Sequence, residues 1–138
     1  MRELCLFDRI EHATEGMPPA AADIDQSMLL ENIIDNLRRI LNSREGCCET
    51  RRDYGMPDLN GLVTDFNNAI NPVIRSVKYQ IERFEPRLTG VVVRHVPDPD
   101  NPLNVNFRIT ATVKSEHLSE KISFETVLSD TGRVRIRN

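Results

Sequence analysis

The sequence predicts an α+β domain, with helices over about residues 27–44, 60–70 and 72–85 packed on a small antiparallel or mixed β-sheet over about 88–137. Two observations predict it. Apolar residues recur every three or four positions up to Phe84, and at every second position through most of the chain after Leu88. The rhythm changes at Glu85-Pro86-Arg87. A proline there ends helical geometry, because it lacks an N–H and biases the residue before it toward extended backbone. Helices first and strands afterwards imply helices laid on one face of a sheet.

Length and composition bound the rest. The 138 residues suit one domain with a modest core, read as residues 27–138 behind an N-terminal segment and linker over 1–26. Charged residues make up 28%, and no apolar run approaches the roughly 18 residues of a membrane span. The first nine residues carry charges through their apolar part, unlike a signal peptide, so the expected location is cytoplasmic. Cys5, Cys47 and Cys48 are an odd set with an adjacent pair, which suits free thiols. Adjacent cysteines without a spacer and scattered His12, His95 and His117 predict no metal, and no motif calls for a cofactor. The net charge is −3, and the arginine pairs lack interleaved aromatics, so no nucleic-acid partner is expected.

Taken in order, Leu4, Leu6, Phe7 and Ile10 make a short amphipathic piece, either packed as a terminal turn or docked on a neighbour. Gly16, Pro18, Pro19 and an alanine cluster follow as linker. The first helix carries the stripe Leu29, Leu30, Ile33, Ile34, Leu37, Ile40 and Leu41, with Asp25 or Ser27 as its cap and Gly46 as its stop signal. Arg38 and Arg39 near its end form either a solvated face or a partner contact. Residues 44–60 are a long polar connection that Tyr54, Met56 and Leu59 pin to the core, with Gly55 allowing a turn of positive φ. Leu62, Val63, Phe66, Ala69 and Ile70 start the next helical region, and Asn71-Pro72 reads as a break before Val73, Ile74, Val77, Ile81 and Phe84. Four strands then run over 88–96, 105–113, 122–128 and 134–136, with Asp130-Thr131-Gly132 as a hairpin signal.

Two places admit both a structural and a functional reading. Either Glu85 ends its helix in solvent and Arg87 pairs loosely with it or with Glu82, or Arg87 points outward as a fork-shaped donor to a partner. The arginines Arg133, Arg135 and Arg137 either protect an edge strand from unwanted pairing or set the charge of a partner strand added to it.

The order of four short motifs is more specific than any one of them. They are Leu6-Phe7-Asp8-Arg9-Ile10, Leu37-Arg38-Arg39-Ile40-Leu41-Asn42-Ser43-Arg44, Tyr54-Gly55-Met56-Pro57-Asp58-Leu59 and Phe84-Glu85-Pro86-Arg87-Leu88. With them the chain resembles the baseplate wedge and sheath-initiator family of contractile injection machines, in the branch that serves bacterial type VI secretion systems. Ser43 and Met56 stand where threonine and leucine are common in that family, and Cys47-Cys48 is not one of its hallmarks. The resemblance implies assembly rather than catalysis. Its implied partners are wedge subunits of the TssF, TssG and TssK type and contractile sheath subunits. Glu85, Pro86 and Arg87 would hold the wedge, and the strand around 134–137 would template the first sheath ring.

Two other classes compete with this reading. The family has at times carried a lysozyme-like label, and Glu85 is a conceivable general acid. A glycosidase needs a second carboxylate about 5–9.5 Å away across a cleft, and no motif places one. A free-standing adaptor domain would share the fold and the joint but not the baseplate partners. On the assembly reading, Arg87→Ala is expected to leave the fold intact and abolish assembly.

Overall fold

The computed structural model describes residues 10, 26–58, 66–101, 104–114, 119–128 and 133–137, with 66–69 as helical backbone. Most of the N-terminal piece, the linker, the Asp25 cap, Leu59, residues 60–65 and the Asp130-Thr131-Gly132 hairpin lie outside these residues. Helix α1 spans Gln26–Asn42, and the expected stripe from Leu29 to Leu41 is buried except for Leu30, which is half-buried. It ends four residues before Gly46, where the Ser43 N–H turns back to the Ile40 carbonyl at 3.2 Å. Gly46 is therefore not the helix stop.

Helix α2 runs unbroken over Phe66–Phe84 with Pro72 inside it, so the expected break at Asn71-Pro72 does not occur. An interior proline costs about 3 kcal/mol through one lost hydrogen bond and a ring clash. Pro72 is exposed, while Val73, Val77 and Ile81 are buried against the core. Burying three such side chains contributes about 1.5–3 kcal/mol each, enough to carry the helix through the defect.

Strands β1 (Leu88–Val96), β2 (Val105–Lys114), β3 (Ser119–Leu128) and β4 (Val134–Arg137) follow. They form one sheet in the order β1-β2-β3-β4, with every neighbouring pair antiparallel. The expected α+β class holds, and the sheet is antiparallel rather than mixed. Alternation places Phe107, Ile109, Val113 and Phe124 on the helix side, all of them buried. In β1 the register shifts between Thr89 and Val92, where Gly90 takes φ +63°. That bulge adds a residue, so Leu88 and Val91 both face the core although they are three apart.

The 44–58 connection is pinned as expected by Tyr54 and Met56. Met56 is buried and bridges to Arg44, its N–H donating to the Ser43 carbonyl at 2.7 Å. Tyr54 meets Phe84 edge to face, with ring centres 4.9 Å apart. Gln80, buried on α2, accepts from the Gly55 N–H at 2.9 Å and donates to the Asp53 carbonyl at 2.8 Å.

Candidate functional site

The joint between helices and sheet is built by a turn. The Glu85 N–H closes the last helical turn onto the Ile81 carbonyl at 2.9 Å, and the Leu88 N–H closes the next four residues onto the Glu85 carbonyl at 3.1 Å. Pro86 takes the second position of that turn, which its fixed φ suits. The Arg87 carbonyl accepts from the Lys114 N–H at 2.8 Å and so anchors the turn to β2.

This geometry folds the Arg87 side chain back on Glu85. Nε donates to Oε1 and Nη2 to Oε2, each at 2.7 Å. From α1, Asn36 Nδ2 donates to Oε2 at 2.8 Å, and Asn32 Oδ1 accepts from Arg87 Nη1 at 2.8 Å. Glu85 has no exposed surface, and the Arg87 side chain retains 12%. A buried ion pair is tolerated when its remaining polar atoms are also bonded. Here the carboxylate takes the two guanidinium donors, the Asn36 amide and the Arg87 N–H at 3.3 Å.

Both readings of this joint need correction. Glu85 does not end its helix in solvent, and the Arg87 fork is turned inward rather than toward a partner. Glu82 pairs instead with Lys78, at 3.9 Å on the exposed side of α2. Sequence reasoning missed Asn32 and Asn36. Their signal was a pair of amides at i and i+4 bordering an apolar stripe, which only the packing of α1 on the joint makes meaningful.

The other candidates are not brought into this cluster. Arg38 is exposed and pairs with Asp35 at 2.7 Å, and Arg39 is exposed beside it on α1. Arg135 and Arg137 are exposed along β4, and Arg133 is exposed just before it. The outer edge of β4 is partly occupied already. Asn42 at the end of α1 donates to the Val134 carbonyl at 3.1 Å and accepts from the Val134 N–H at 2.9 Å.

A groove of about 380 Å³ lies between the 44–58 connection and α2, lined by Glu45, Asp53, Tyr79 and Gln80 among others. Arg51 binds Asp53 through Nε at 3.1 Å and Nη2 at 3.0 Å, which holds the Asp53 carboxyl below the usual range. Among the described residues no helix is long and apolar enough to cross a membrane, and no cluster of metal-ligating side chains forms.

The described residues thus form a small helix-on-sheet domain with a sealed polar joint and exposed arginines. Residues 27–118 match the family model described as baseplate wedge protein gp25, and the chain belongs to that family. No curated protein sequence matches it. Among solved structures, the baseplate complex from the type VI secretion system is similar at 18% identity, with a TM-score of 0.57 over 81% of this chain and 96% of that one. A crystal structure from Geobacter sulfurreducens, which carries the working name of tail lysozyme, is similar at 19% identity, with a TM-score of 0.52 over 76% of this chain and 94% of that one. At these identities the likeness establishes the fold.

Proposed function

We propose that this chain is a TssE-type structural subunit of a type VI secretion baseplate, acting in the cytoplasm beside wedge subunits of the TssF, TssG and TssK type. The observation that carries this reading is the family match over residues 27–118, which includes both the joint and the first two of the four strands. In this role the Glu85–Arg87 pair fixes the angle between α1 and the sheet, and exposed Pro86 marks the surface where that rigid joint meets the wedge. Sheath initiation would use β4, with pairing on the free edge confined to the part beyond Val134, because Asn42 holds Val134 itself.

The structure weighs against a glycosidase. Glu85, the conceivable acid, is sealed from solvent and bound to Arg87. In the groove, Asp53 is held as an anion by Arg51, the opposite of the raised pKa a general acid needs.

Affinity purification of the tagged full chain from the bacterium that encodes it, with mass spectrometry, tests the proposal. Wedge subunits should co-purify, and their absence under mild lysis would favour the adaptor reading. Arg135→Glu with Arg137→Glu changes only exposed side chains of β4. It should keep the wedge subunits and block sheath growth, and normal sheaths would refute the role of β4.

A further inference from the structure

The register of the sheet lines up charges that are far apart in the sequence. Arg94 on β1 stands opposite Arg108 on β2, Arg108 opposite Glu125 on β3, and Glu125 opposite Arg137 on β4. All four are exposed, on the face turned away from the helices. Lys121, across from Thr112, and Arg135, across from Val127, face the same way. Glu125 is the one carboxylate among the described strand residues of this face, and it pairs with Arg108 at 2.7 Å. Arg94, Arg135, Arg137 and Lys121 make no ion pair among the described residues. The chain as a whole is acidic, at −3, so its excess of carboxylates lies elsewhere.

Directly opposed like charges destabilise a sheet. Arg94 against Arg108 is such a pair, and neighbouring Arg137 leaves Glu125 with more cations than it neutralises. Glu125 shows within the chain what group this row accepts: a side-chain carboxylate, at a register position flanked by Arg108 and Arg137 and paired with Arg108. The strand positions between the charges carry Thr110, Thr112, Ser123 and Val92, with no aromatic ring to stack a base.

We propose that the outer face of the sheet, centred on Arg94, Arg108 and Arg137, binds a glutamate- and aspartate-rich segment of another protein. The partner's carboxylates continue the row that Glu125 begins, and one of them sits between Arg94 and Arg108. The inference shares Arg137 with the proposed role of β4 but does not rest on that role, because it is argued from the sheet face alone and tested with a synthetic probe.

The test is fluorescence anisotropy of a fluorescein-labelled glutamate-rich peptide titrated with the full chain at low and at physiological salt. A single-stranded oligonucleotide of equal charge is titrated in parallel. The peptide should bind, and more weakly as salt rises. Arg94→Gln, Arg108→Gln and Arg137→Gln should each weaken binding by up to about five-fold, and the triple variant should lose it. Arg75→Gln, on the exposed side of α2, should change nothing. Circular dichroism should show all variants folded, since every altered side chain is exposed. Failure of the peptide to bind, equal binding to the triple variant, or tighter binding of the oligonucleotide would overturn the proposal.

Discussion

Arg87 grips Glu85 in a two-point contact, Nε to Oε1 and Nη2 to Oε2, across a turn that the two residues themselves define. The pair is local in sequence, but its remaining bonds go to Asn32 and Asn36, about fifty residues earlier. It therefore ties the first helix to the point where the second helix becomes a strand. Because Glu85 is sealed, the contact belongs to the fold before it belongs to any interface.

That placement reverses the expectation that Arg87→Ala spares the fold. Removing the guanidinium leaves a buried carboxylate with only the Asn36 amide and one backbone N–H. Stability should fall by about 3–5 kcal/mol, measured by urea unfolding. Replacing both partners with apolar residues of similar size, Glu85→Leu with Arg87→Met, should recover most of the loss. A stable Arg87→Ala chain would mean that the pair contributes little to the fold.

Gly55 is the second fixed point of the chain. It adopts φ +106°, and a Cβ there would lie 2.5 Å from the Arg44 carbonyl carbon. The connection passes so close because Met56 and Arg44 bridge backbone to backbone. Gly55→Ala should cost about 1–3 kcal/mol from backbone strain alone, with the clash added. Thermal unfolding would measure the loss, and an unchanged midpoint would show that the connection shifts freely.

How much of this was legible in the sequence depended on the range of the interaction. Period and punctuation located the first helix, all four strands and the pinning roles of Tyr54 and Met56, because those signals are local. Pro72 misled, since its local penalty is outweighed by burial of Val73, Val77 and Ile81, a tertiary effect. The joint was found, but its direction was not: whether Arg87 faces in or out depends on Asn32 and Asn36, which the turn cannot reveal. The Arg94-Arg108-Glu125-Arg137 row needed the register of three strand pairs, and no spacing along the chain shows it.

Thr126 carries a cost that the fold can shed. It lies on the inner face of β3 between Phe124 and Leu128, and its hydroxyl has no hydrogen-bond partner among the described residues. A buried, unpaired hydroxyl costs about 1–3 kcal/mol, and valine has nearly the same shape without it. Thr126→Val should therefore stabilise the domain by about 1 kcal/mol and raise the melting temperature by about 2–8 °C. A lower melting temperature would show that the hydroxyl is paired.

The adjacent cysteines should differ in how their reactivity responds to pH. Cys48 Sγ lies 3.2 Å from the Thr50 hydroxyl, which can donate to the thiolate. That bond is the main reason the Cys48 thiol is held below its ordinary pKa, with backbone donors of Arg51 and Thr50 adding to it. The sign follows: stabilising the anion lowers the pH at which alkylation becomes fast. In a chain with Cys5→Ser and Cys47→Ser, the rate of iodoacetamide labelling should reach half its maximum below the usual thiol pKa of about 8.5. Thr50→Val, at an exposed position, should move that midpoint upward without unfolding the connection. A midpoint unmoved by Thr50→Val would assign the effect to the backbone donors instead.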